Sequence, residues 1–177
     1  DTSQRCWKRK RNCGCDVIIL DHLSIVVSDQ DTGDERKAID SIMTNLRKLV
    51  QETGVGLFLV SHLRRPSGAK AHEDGGKISL GELRGSAAIA QLSDIVIGLE
   101  RDQQHVDPEI RNTTTVRVLK NRFVGLTGPA CYLYYDKESG RMIETSCPTG
   151  DDPEVFASIA TFQLQSRSKL CRADKRH

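Results

Sequence analysis

Two short apolar runs, DVIIL (16–20) and VGLFLVS (55–61), constrain this chain more than any other feature. Each is too short for a core helix, and each is apolar at consecutive rather than alternate positions. A strand wetted on one face alternates; a strand covered on both faces, as in a parallel sheet, does not. Between the runs, from Asp34 to about Thr53, Ile39, Met43, Leu46, Leu49 and Val50 recur at helical spacing, with Gly54 as a stop. Strand, helix and strand in that order predict a parallel βαβ unit. Asp21 closes the first run and His62 follows the second. In such sheets ligands gather outside the strands' carboxyl ends, so these two side chains are the first candidates for function.

The rest of the chain extends the pattern. SDQDTGDER (28–36) is a polar loop. RRPSGAKAHEDGGK (64–77) combines Pro66, Gly68, Gly75 and Gly76 with Arg64, Arg65, Lys70 and Lys77, lacks apolar periodicity, and reads as an exposed basic loop. A helix is expected over roughly 80–92, then a third strand, DIVIGLE (94–100). TTTVRVLKNR (113–122) reads as a strand, GLTG (125–128) as a turn, and CYLYYDKESGRMIE (131–144) as a hairpin turning at Gly140. The last thirty residues allow one short helix near Glu154 to Gln163. The expected class is α/β, a mostly parallel sheet with an antiparallel hairpin at its carboxyl-terminal side.

Composition narrows the setting. A chain of 177 residues suffices for one domain, and 37% hydrophobic with 28% charged residues is the balance of a soluble globular protein. No run of 18 apolar residues exists, so no membrane partner is expected, and the polar start DTSQRCWKRKRNCGC lacks a signal-peptide core. Cys6, Cys13, Cys15, Cys131, Cys147 and Cys171 are scattered rather than paired at zinc-ligand spacing, which predicts free thiols and a cytosolic setting. Net charge is +2, but basic residues gather at Lys8 to Arg11, Arg64 to Lys77 and Arg117 to Arg122.

Four apolar residues ending in Asp21 form the arrangement that fixes a carboxylate beside Mg²⁺ and a nucleotide's phosphates; the alternative is an Asp that caps the next turn. His62, one strand over, is placed to sense a γ-phosphate, or is a satisfied strand-end histidine. The basic loop after it suits a phosphate backbone, or is a solvated lid. Arg84-Gly85-Ser86 opens the next predicted helix and Gln91 lies near its end. Lys120 and Arg122 stand at a strand end before a tight turn, where an arginine can stabilise transition-state charge on a neighbouring subunit's phosphates, or simply face solvent.

Taken in order, DVIILDHLSIVVS, the loop GAKAHEDGGK, LRGSAAIAQLSDIVIGLERDQQ and VLKNRFVGLTGPACYLYYDKESG resemble the DnaB-like ring helicases of superfamily four. The resemblance is narrowest to the bifunctional primase–helicases of short-tailed phages and reaches the mitochondrial replicative helicase more distantly. It covers residues 14–146, with a small insertion near His105 to Thr113; residues 1–13 form a basic segment and 147–177 a tail that do not resemble the family. A RecA-type recombinase shares the core, but LRGSAAIAQLSD and LKNRF argue against it.

The resemblance implies a RecA-like P-loop NTPase core. It also implies a homo-hexamer that hydrolyses ATP or dTTP with Mg²⁺ at subunit interfaces, and translocation on single-stranded DNA during DNA replication. Under it, Asp21 is the Mg²⁺ acid and His62 the γ-phosphate sensor. Gln91 links nucleotide state to DNA, and Arg122 is the finger acting in trans. Arg101 and Lys120 lie close to the same phosphates, and Tyr135 stacks on the base. Arg64, Lys70 and His72 face the DNA channel, as do Arg84, Gly85 and Ser86, with contacts to phosphates rather than base edges. Ala90 stands where the phage members carry a basic residue, which implies a weaker grip. The expected compartment is a phage host's cytoplasm, with the mitochondrion as the alternative.

One motif of the family does not occur. G-x4-G-K-[ST], whose backbone N–H groups and Lys cradle phosphates, is absent; the one Gly-Lys pair, Gly76-Lys77, continues as Ile78-Ser79. In the family this cradle and the catalytic glutamate both precede the Asp21 strand, so the core is expected to be incomplete on its amino-terminal side. Two readings follow: a fragment of an ATP-dependent replicative DNA helicase, or a catalytically inactive remnant that binds single-stranded DNA or docks on intact helicase subunits.

Overall fold

The structure is a computed structural model that describes residues 14–28, 35–64, 72–83 and 87–149, with side chains omitted at 27 and 28. The segments predicted at 1–13 and 150–177, including the short helix near Glu154, lie outside the described residues. The described residues fall into two compact units, one within Asp1–Arg65 and Leu80–Asp94, the other within Pro66–Ser79 and Ile95–His177.

The first unit holds β1 (Val17–Leu20), α1 (Leu23–Ser28), α2 (Glu35–Thr53), β2 (Gly56–Leu59), a 3₁₀ turn (Leu80–Glu82) and α3 (Ala87–Leu92). β1 and β2 pair in parallel, Val17 opposite Gly56 and Leu20 opposite Leu59. The predicted βαβ unit therefore stands. α2 ends where Gly54, at φ +66°, turns its N–H back to the Val50 carbonyl at 2.9 Å, the left-handed cap that glycine supplies most easily. Ala38, Ile39, Ile42, Met43, Leu46 and Leu49 form the helix's buried stripe and join Leu20, Leu23, Val55 and Ile89 in one core. Arg47 on α2 ties to Asp94 at 2.6 Å. Leu49→Ala should cost about 2–5 kcal/mol of stability, because Leu49 is fully buried in that core. Urea unfolding followed by circular dichroism measures it.

Two local expectations are corrected here. The polar loop starting at Ser28 is preceded by helix α1, since Leu23 and Val26 pack into the core despite the β-branched run. The helix expected over 80–92 is shorter. Leu80–Glu82 form a 3₁₀ turn, Leu83 bridges Leu63, and the helix spans only Ala87–Leu92.

The second unit is built on β3 (Ile95–Glu100), α4 (Pro108–Asn112), β4 (Thr113–Asn121), β5 (Gly128–Asp136) and β6 (Arg141–Thr145). They form one antiparallel sheet in the order β3-β4-β5-β6. The antiparallel part thus includes the third strand and is larger than the terminal hairpin; the parallel pairing among the described residues is that of β1 and β2. Asp136 closes the β5–β6 turn by accepting the N–H groups of Glu138 and Ser139 and the Ser139 hydroxyl. These bonds hold its carboxyl below the usual carboxylate range. Cys15, Cys131 and Cys147 are free thiols, and burial followed by the nearby Glu144 carboxylate pushes Cys131 up.

Candidate nucleotide and nucleic-acid sites

In the first unit the β1–β2 pairing continues past the strands. Val60 N–H donates to the Leu20 carbonyl and Leu23 N–H to the Val60 carbonyl, both at 3.0 Å. These bonds bracket Asp21 and His22, so the carboxyl ends of both strands lie side by side. Asp21 is exposed, and its carboxylate has no hydrogen bond or ion pair among the described residues. His62 is exposed beside it in the unit, its ring edge-on to His22 with centroids 4.3 Å apart. His22 is a residue that sequence reasoning missed. Its Nδ1 is buried and unpartnered, and its contact with His62 exists only because β1 and β2 are neighbours. Gln91 is on the exposed side of α3 in the same unit.

Among the described residues no three His, Cys, Asp or Glu side chains converge as a metal cage. That is compatible with Mg²⁺, which is commonly held by one or two carboxylates together with phosphate oxygens and water. Asp21 fits the protein's share of such a site, with its carboxylate directed by a strand end and uncommitted to any described neighbour.

In the second unit the antiparallel register separates residues that sequence alone had grouped. Lys120 pairs with Val96 near the start of β3, whereas Arg101 follows Glu100, which pairs with Thr115. About five strand residues, roughly 15 Å, therefore lie between Arg101 and the Lys120–Arg122 end. This corrects the expectation that Arg101 and Lys120 lie close to one set of phosphates within a subunit. The Arg101 guanidinium donates to the Arg111 carbonyl at 2.8 Å and to Asn112 Oδ1 at 3.5 Å, which ties it to α4. Tyr135 is exposed on β5 opposite Met142, and its neighbour Tyr134 pairs with Thr113, placing it at the Arg101 end of the sheet.

Arg122 is exposed in the turn after β4. The turn is held from beneath by Asn121, which is buried: its Oδ1 accepts Phe123 N–H at 3.0 Å and Val124 N–H at 3.3 Å, and its carbonyl accepts Gly125 N–H at 2.9 Å. Of the residues predicted to meet nucleic acid, Arg64 is exposed and its N–H donates to the Glu82 carbonyl at 2.7 Å. His72 is half-buried in a turn that Gly75 closes. Lys70, Arg84, Gly85 and Ser86 lie outside the described residues.

Comparison with known proteins agrees with this geometry. The family described as DnaB-like helicase C terminal domain matches residues 1–143. The DNA helicase/primase of Enterobacteria phage T3 is 50% identical over 141 residues, covering 80% of this chain and 24% of that protein. The replicative DNA helicase DnaC of Bacillus subtilis is 26% identical over 138 residues, covering 75% of this chain and 30% of that protein. Among solved structures, a helicase ATPase domain matches with a TM-score of 0.63 at 24% identity over 82% of this chain and 50% of that one, a likeness of fold. The chain spans about a quarter of the length of the phage relative. No helix among the described residues is long and apolar enough to cross a membrane.

Proposed function

This chain belongs to the DnaB-like helicase C-terminal domain family, and on that premise we propose that it is the carboxyl-terminal part of a replicative helicase motor. The observation that carries the reading is the parallel pairing of β1 with β2, which sets Asp21 and His62 at adjacent carboxyl ends. An acid and a neutral or cationic imidazole there suit a phosphoryl group and its Mg²⁺, the positions where charge changes as the γ-phosphoryl leaves. In this reading Asp21 orients Mg²⁺ and His62 reads the γ-phosphate, with ATP or dTTP as the nucleotide. Gln91 relays that state, and Tyr135 with Arg101 serves the base side. Lys120 and Arg122 reach a neighbouring subunit's phosphates in a hexameric ring. Bound Mg²⁺ would neutralise charge on the phosphate oxygens.

Single-stranded DNA would run along Arg64, Lys70 and His72 and the Arg84-Gly85-Ser86 segment, in the motor segment 14–146. The relatives named above are phage and bacterial proteins, which favours a bacterial cytoplasm over the mitochondrion.

Fluorescence anisotropy with an oligothymidylate tests the DNA side on the chain alone. Arg64→Ala with Lys70→Ala should weaken binding and flatten the slope of log affinity against log salt by about 0.7 for each phosphate no longer neutralised. Unchanged affinity and slope would remove these residues from the channel.

A further inference from the structure

Residues 72–79, the returning arm of the basic loop, are fastened to β3 at successive points. Gln103 N–H donates to the Glu73 carbonyl at 2.9 Å, and Asp74 bridges Asp102. Gly75 sits at φ +81°, where a Cβ would come within 2.8 Å of Asp102 Oδ2 and 2.9 Å of Asp102 Cβ, so this approach needs glycine. Ile78 is buried, and its side chain covers Gly98 next to Leu119 of β4.

At the centre of this seam is Glu100. Its side chain is 9% exposed, and Oε1 accepts Ile78 N–H at 2.8 Å. The same carboxylate accepts Arg117 Nε–H at both oxygens, 2.9 and 3.0 Å. One buried carboxylate thus joins the arm of the basic loop to β4, three residues before Lys120 and five before Arg122. A buried charge with two partners tolerates little displacement, because losing either leaves the other group desolvated and unpaired. Pulling the arm therefore moves β4 or breaks a costly pair.

We propose that Glu100 is a positioning residue that transmits DNA binding at the basic loop to β4 and the Arg122 turn. The inference rests on the proposed function, since it takes the loop as DNA-facing. Arg117 and Ile78 are its two terminals.

Hydrogen exchange read by mass spectrometry on the full 177-residue chain, with and without oligothymidylate, tests it. DNA should slow exchange both at residues 72–79 and at 118–124, the second effect on the order of fivefold, the low end of site-to-site coupling. Glu100→Gln keeps the shape and an acceptor for Ile78 but gives up the charge that holds Arg117. It should bind DNA and protect 72–79 as before while losing the change at 118–124. Arg117→Gln, which leaves the Glu100–Ile78 bond, should do the same. A purely structural ion pair would alter baseline exchange in these variants without creating a DNA-dependent change at β4. DNA protection confined to the loop in the unaltered chain, or protection of 118–124 that survives both substitutions, would overturn the inference and leave the proposed function standing. Failure of the unaltered chain to bind DNA would overturn both.

Discussion

Arg122→Ala should lower nucleotide hydrolysis by on the order of 10³- to 10⁵-fold, the range an arginine finger supplies in phosphoryl transfer. The place to measure it is a hybrid subunit in which this chain replaces the matching 141 residues of the phage T3 helicase/primase. The reason for so large an effect is that phosphoryl transfer asks the protein for little except position and charge. Arg122 offers both. It projects from a turn whose backbone N–H groups are held by buried Asn121, so the guanidinium starts from a fixed base. The loss should fall on kcat with little change in KM, because the finger acts on charge that develops in the transition state. Arg122→Lys should recover only part of the rate, since an ammonium keeps the charge but not the planar fork. An Arg122→Ala ring with undiminished kcat would return Arg122 to the surface.

How far such roles were legible in the sequence depends on whether the cause was local. The β1 and β2 runs and the α2 stripe were readable because continuous burial and 3.6-residue spacing are written directly in residue order. Gly54 announced the end of α2 for the same reason. Helix α1 was hidden, because LSIVVS has the β-branched look of a strand and only the packing of Leu23 and Val26 into the core makes it helical. The break between 80 and 87 was hidden because Leu83 is used in a bridge to Leu63, a partner twenty residues earlier.

Strand partners were the largest gap. TTTVRVLKN reads as a strand in any sheet, but only the antiparallel register shows that Arg101 and Lys120 end on opposite sides of it. Glu100 was invisible for a related reason, since one of its partners is a backbone N–H twenty-two residues away. His22 could have been found: it follows the acid of β1 as His62 follows the serine ending β2, and parallel pairing brings such positions together.

Asp21→Asn should likewise stop hydrolysis in the hybrid ring, and it allows a sharper experiment than either loss alone. The amide keeps the side chain's shape but not its charge, so Mg²⁺ and the phosphates lose an anionic ligand; several kcal/mol of transition-state stabilisation, about 10²- to 10⁴-fold in rate, goes with it. The chain by itself, with no G-x4-G-K-[ST] in its sequence, should show no hydrolysis to lose. Robust turnover by the chain alone, abolished by Asp21→Asn, would mean that it holds phosphates by some other means. Now let Asp21→Asn subunits be mixed with Arg122→Ala subunits. If Asp21 serves its own subunit's nucleotide and Arg122 serves its neighbour's, some interfaces join an intact acid to an intact finger. In an equimolar random ring that is about a quarter of them, so activity should return toward that fraction from two inactive parents. If both residues act within one subunit, no mixture can assemble a working pair and the rate stays at the floor. The mixing curve therefore separates a trans finger from a cis one without requiring any change in either residue's placement.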